Sequence, residues 1–227
     1  MGFFQRFIWI FTAPAKVFAD IREGRAPWWQ PWIWMSLITV IMAFIAKPVQ
    51  IAVMELNPNN LPPEQVEKQM EIFEKYGQWF QIGLTPVILL VVSLIVAGLT
   101  YIVVSVLCSK ANFMKFFKIT LYAGIVSSLS TVLSTAVLRM RGVDAIRSVD
   151  DARFSIGLGF LAPEEGSLAR AALYSFDFFA IWSLVLVVLG LMHVFGMQVR
   201  QAIYCVIPMW LISVAMLTLQ EAVGGIG

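Results

Sequence analysis

Five long apolar stretches constrain this chain more than any other feature of its sequence. They cover residues 32–54, 82–107, 116–138, 176–197 and 202–219. About 20 apolar residues in helical form cross the ~30 Å hydrocarbon layer of a bilayer. In lipid every backbone polar group must be satisfied inside the structure, which leaves helices or closed barrels. A barrel would need alternating strands of about ten residues, a pattern absent here. The third stretch is rich in hydroxyls yet has no charge over 119–138, so it too reads as a span. Composition agrees: 13% of residues are charged and 59% hydrophobic, whereas soluble domains carry about 25% charged residues. A larger core cannot explain the deficit, because a soluble domain must still cover itself with polar groups. The expected fold is all-α: a polytopic integral membrane protein, a bundle of five transmembrane helices in one domain over 1–227, with an N-terminal interfacial amphipathic helix.

That N-terminal segment, 1–27, places Phe3, Phe4, Phe7, Ile8, Ile10 and Phe11 before Val17, Phe18 and Ile21 at helical spacing. Arg6, Lys16, Arg22 and Arg25 are available to anionic headgroups, so the segment reads as a helix lying on the inner leaflet; docking of a cytosolic partner helix is the competing use. Its apolar run over 7–12 is shorter than the ~7–15 residues of a signal peptide core, so cleavage after the "APA" of 13–15 is not expected. Arg6 also occupies the position where a myristoylation signal wants Ser or Thr.

Two connections, 110–118 and 198–201, are short, and two, 56–81 and 139–175, are long. Within 56–81, Asn60, Pro62 and Glu64 read as a helix start. Val66, Met70, Phe73, Gly77 and Phe80 then share one helical face, and Glu71 and Lys75 form a favourable i,i+4 pair. The 139–175 loop is irregular, with a helix start near Ser167. Lys and Arg counts on the two sides tie. Those on the N-terminal side (Lys110, Lys115, Lys118, Arg200 and the N-terminal segment) sit in short, nearly acid-free segments, whereas the others lie in long acidic loops. Long loops weigh less in setting orientation, so the N-terminus is expected in the cytoplasm and the C-terminus in the periplasm.

Enzyme signatures are absent: no His-Glu-x-x-His, no Gly-x-Ser-x-Gly, no phosphate-binding Gly-Lys-[Ser/Thr] loop. No catalytic residue, cofactor or metal site is expected, and a net charge of +2 gives no footing for nucleic acid. Cys108 and Cys205 lie in apolar runs and read as small buried residues. Ionisable groups inside spans are functional candidates by default. Lys47, Asp177, His193 and Glu221 all fall near span ends, where snorkelling or a helix dipole explains them better than a transport path. Asp177 and His193 remain the polar candidates. In the third span, Gly124, Ser128, Thr131 and Thr135 line one small and hydroxylated face, with Ser127 beside it. Small residues let helices approach closely in lipid; a polar permeation path is the alternative. Pro86 falls in the first turn of the second span, and Pro208 should kink the fifth.

Trp28, Trp29, Trp32 and Trp34 precede and open the first span, with Pro31 at the first helical position. Indole rings favour the headgroup depth, so these four, with Arg22, Arg25, Lys47, Lys110, Lys115 and Lys118, form the expected membrane interface.

"FTAPAKVFADIREGRAPWWQP" (11–31), "KANFMKFFKITLYAG" (110–124) and "FDFFAIWSLVLVVLGLMHVFGMQVRQA" (176–202) together resemble bacterial members of the YIP family, the Ypt-interacting-protein-like membrane proteins. These pair a Pro-x-x-x-Phe-x-x-Ile segment with Trp-Trp-x-Pro at the start of the first of five spans. Eukaryotic relatives bind Rab-type GTPases in secretory membranes and affect membrane shape. Their Asp-Leu-Tyr-Gly-Pro motif has no match here, so the resemblance implies a bacterial cytoplasmic (inner) membrane rather than GTPase recruitment. It implies a non-enzymatic protein that organises membrane or recruits a membrane or cytosolic protein partner, its other partner being the lipid bilayer. The alternatives are a small-solute or lipid transporter built around the third span, or an accessory subunit of a larger complex; a homo-oligomer stays open.

Overall fold

The computed structural model describes residues 2–56, 61–107, 110–152, 156–161 and 168–224. Among them are nine α-helices: α1 (Phe3–Thr12), α2 (Pro14–Arg22), α3 (Trp29–Glu55), α4 (Pro63–Ile72), α5 (Gln78–Leu107), α6 (Phe113–Arg141), α7 (Leu168–Ser175), α8 (Phe178–Phe195) and α9 (Val199–Gly224). Five of these, α3, α5, α6, α8 and α9, are long and apolar enough to cross a membrane. The chain is a polytopic membrane protein. Successive spans alternate in direction, so α3, α6 and α9 begin at one end of the bundle, the near end, where α5 and α8 finish.

Several boundaries differ from the sequence reading. Helix α3 begins two residues early, which puts Pro31 in its first turn rather than at its first position. The fit survives, because the first N–H groups of a helix have no intrahelical acceptor to lose. Pro86 lies inside α5, not in its first turn, since a π-turn over Phe73–Gly77 joins α4 to α5 in one long helical run. The expected helix starts at Asn60 and Ser167, and Cys108, lie outside the described residues.

Helix α6 is the axis of the bundle. It packs against α3, α5 and α8, while α9 closes against α5 and α8. It is the least apolar span, with mean hydropathy 1.6, and the most buried, 44% of its window lying inside the protein. Both facts have one cause. Lipid is as apolar as leucine, so burial in a membrane protein follows close packing and hydrogen bonding rather than hydropathy. Gly124 lies against the Met35 sulfur of α3. Ser183 of α8 donates to the Ala123 carbonyl of α6 at 3.2 Å, one polar link between two spans. Ser128 and Thr135 are buried.

The N-terminal segment is two helices, turned at Ala13–Pro14, with α2 packed against α8 and α6. Val17, Phe18 and Ile21, the periodic apolar face, are fully buried in the main core with Phe116, Ile119 and Leu191. Gly190 of α8 makes this approach possible: a Cβ there would stand 2.4 Å from Ile119 Cγ2 and 3.0 Å from Phe18 Cε1. Overpacking a fitted core costs about 1–3 kcal/mol. Gly190→Ala should therefore lower the thermal midpoint of the detergent-purified protein. Gly98→Ala, where no atom lies within 4 Å of the added Cβ, is the matched control; equal midpoints for the two variants would refute this packing.

Candidate functional site

The near end of the bundle holds a buried polar cluster that the sequence reading did not foresee. Arg6 is expected at the headgroups, yet it is only 5% exposed. Its rigid guanidinium fork spends donors on three elements. Nε donates to Asp20 Oδ2 of α2 at 3.0 Å, one Nη to Gln30 Oε1 of α3 at 2.9 Å, and the other Nη to the Arg25 carbonyl at 3.2 Å. Tyr122 of α6 lends its hydroxyl to Gln30 Oε1 at 3.1 Å, with the Pro27 carbonyl at 3.2 Å. Because both neighbours of the Gln30 side chain are donors, its amide must present oxygen to them.

Local structure brings the acid and its cations together. Two residues past α2, Gly24 with a φ of +80° turns the chain back, a conformation glycine adopts without steric cost. The N–H groups of Arg25 and Ala26 then donate to the Asp20 carbonyl at 2.9 and 3.3 Å. Arg25 is thereby placed to donate from Nε and Nη2 to Asp20 Oδ1 at 3.0 and 2.8 Å. Arg25 also pairs with Glu23 while half its side chain stays exposed. Burial pushes the Asp20 carboxyl up, but the hydrogen bonds and charges of Arg25 and Arg6 outweigh it and hold the group below its ordinary value.

Around this cluster the four tryptophans divide. Trp34 is enclosed by Phe7, Phe3 and Phe4 of α1, with ring centroids 4.7, 5.1 and 5.5 Å away. Trp28 lies 6.1 Å from Trp32 and 6.4 Å from Phe117. Trp32 donates its indole N–H to the Pro86 carbonyl at 3.0 Å, a bond from the first span to the second. Trp29 is the most outward of the four. Of the cations, Lys110 is exposed, Lys47 and Lys118 are half-buried, and Lys115 donates to the Arg22 carbonyl at 2.8 Å. Arg22 is exposed and has no carboxylate partner among the described residues.

At the far end, Asp177 caps α8 by accepting from the N–H groups of Phe179 and Ala180, and its second oxygen accepts from Ile156 N–H at 3.1 Å. It shares a cavity of about 310 Å³ with Ser127, Thr131 and Tyr174. Two separate sequence candidates, the hydroxyl face and Asp177, thus come together. The cavity takes nothing from the near halves of α6 and α8, where Ile119, Tyr122, Ala123, Val126 and Leu191 are buried. The polar lining of this cavity lies toward the far end of the bundle. His193 lies at the opposite end, 16 residues along the same helix, with Nδ1 2.8 Å from the Leu189 carbonyl. A carbonyl accepts only, so Nδ1 carries the proton. Among the described residues no group of three His, Cys, Asp or Glu is placed to hold a metal.

Removing one partner of a buried ion pair strands the other charge, at a cost of about 3–5 kcal/mol. Asp20→Asn should therefore destabilise strongly, and Arg6→Met with Asp20→Leu should recover part of that loss. A group with a depressed folded pKa contributes stability above its unfolded value of about 3.9 and loses it as pH falls through the folded value. The melting temperature of the wild type should accordingly fall below about pH 4, with a smaller acid limb in Asp20→Asn. Equal limbs, or a single variant as stable as the wild type, would show that the pair carries no such load.

A family model described as the Yip1 domain matches residues 8–219. The chain is also 26% identical over 186 residues to "Membrane protein YknW" of Bacillus subtilis (strain 168), an alignment covering 80% of this chain and 75% of that protein. No solved structure matches it. The match begins within α1 and ends within α9, taking in α2 as well as the five spans, and the chain belongs to the Yip1-domain family of membrane proteins.

Proposed function

We propose that this protein is a non-enzymatic organiser of a bacterial cytoplasmic membrane that recruits a protein partner at its near end, the cytoplasmic one. The observation that carries this reading is the buried Arg6–Asp20 pair. A segment that merely lay on a leaflet would keep its arginines at the headgroups. Here Arg6 is spent on fixing α1 and α2 to the bundle, so their outer surfaces form a rigid platform rather than a loose tail. That platform is divided by chemistry. Phe4 and Ile8 of α1 turn outward, 67% and 56% exposed, which suits lipid. Lys16, Arg22, Glu23 and Lys110 are also exposed at this end, which suits water and a charged partner. The basic, nearly acid-free connections at this end support its cytoplasmic placement, and the bacterial relative supports the membrane.

Because α2 is part of the core, deleting the N-terminal segment would unfold the protein and test nothing. Charge reversal on the platform is the informative experiment. Lys16→Glu with Lys110→Glu leaves the buried cluster intact and should cut the yield of a stoichiometric co-purifying protein from native membranes at least tenfold, with the melting temperature unchanged. Undiminished co-purification, or none from the wild type, would reject recruitment at this face.

A further inference from the structure

Helices α8 and α9 leave between them a groove of about 500 Å³ whose lining is apolar. Ile181, Val185 and Met192 mark the α8 wall, and Val199, Ile203 and Trp210 the α9 wall. From Ile181 to Met192 the groove follows about three turns, roughly 16 Å at 1.5 Å per residue. From Val199 to Trp210 it covers the same length on α9. That is about half the ~30 Å hydrocarbon layer, the depth of one leaflet. Ile181, Val185, Val199 and Ile203 are all exposed, so the groove is open sideways to the bilayer.

Its near end is not apolar. Met192 also lines a second cavity, which includes Arg22, His193 and Gly196. Arg22 has no carboxylate partner among the described residues, and the two acids nearest it in sequence are engaged elsewhere, Asp20 with Arg6 and Arg25, and Glu23 with Arg25. Lys115 adds a second cation, bonded to the Arg22 carbonyl. His193 keeps Nδ1 on the Leu189 carbonyl, which leaves Nε2 for a ligand. A leaflet-deep apolar groove that runs into an uncompensated positive mouth has the shape and charge order of one lipid molecule.

We propose that this groove is a binding site for an anionic phospholipid of the near leaflet, with an acyl chain between α8 and α9 and the phosphate at Arg22. The site goes beyond partner recruitment and does not use Lys16 or Lys110. Charge selects the lipid: a cation near the membrane surface contributes about 1 kcal/mol toward an anionic headgroup, a preference of about fivefold. The full-length protein, reconstituted with equimolar phosphatidylglycerol and phosphatidylcholine, can be read by native mass spectrometry of the lipids retained. The wild type should retain phosphatidylglycerol about fivefold over phosphatidylcholine. Arg22→Gln should bring that ratio close to one, while Ile203→Trp, which fills the groove from an exposed position, should lower retention of both lipids. Equal retention of the two lipids by the wild type would overturn the proposal, as would phosphatidylglycerol retention that neither substitution changes. A dimer abolished by Ile203→Trp would overturn it as well, by giving the groove to a second copy of the chain.

Discussion

One buried ion pair decides what the N-terminal segment of this protein is. Asp20 and Arg6 are almost fully withdrawn from solvent, and two such charges are tolerated together only when geometry and extra hydrogen bonds offset their desolvation. The protein supplies those bonds from the turn after α2, through Arg25, and from Gln30 in the first turn of α3, whose side chain Tyr122 of α6 also holds. The cluster is therefore a registration point. It fixes where α1 and α2 lie relative to α3 and α6, and the burial of Phe18 and Ile21 and the enclosure of Trp34 follow from that placement.

The spans themselves are held by a different currency. With lipid on every side, apolar bulk gives no reason for one helix to prefer another, and close approach does the selecting. Gly190 admits Phe18 and Ile119, and Gly124 admits Met35. Hydroxyls mostly return to their own helix, as Ser134 does to the Ser130 carbonyl and Thr218 to Val214. Ser183 instead reaches across to α6. Two buried hydroxyls, Ser36 and Thr100, lack a partner.

Exposed positive charge collects at the near end for a related reason. The far-end cavity joins hydroxyls to Asp177, but that carboxylate is already engaged by three backbone N–H groups. These bonds cap α8 and tie the Ile156 backbone to its start. At the near end the balance is reversed: the acids are consumed by Arg6 and Arg25, and Arg22, Lys16 and Lys110 remain on the surface. The fold thus exports positive charge on one face while burying its compensating carboxylate, which is how a nearly neutral chain acquires a directional surface.

Five spans, their order, the all-α class and the helical periodicity of Val17, Phe18 and Ile21 were legible in the sequence, because length, hydropathy and spacing are local quantities. The family pattern was legible too, and its Phe18 and Ile21 are core residues. What periodicity could not say was which solvent that apolar face meets. Lipid and a protein core look identical to a hydrophobic pattern, so only the tertiary structure placed α2 inside. Polarity is ambiguous in the same way. Arg6 reads as a headgroup ligand when its neighbours are unknown, and as a buried tie once Asp20, Gln30 and Tyr122, distant in sequence, are brought within hydrogen-bond reach. The signal available was faint: an acid, Asp20, at helical spacing on the face of Val17 and Ile21. Sequence determined that the chain enters a membrane five times; the packing of distant side chains decided which charges stay at the surface.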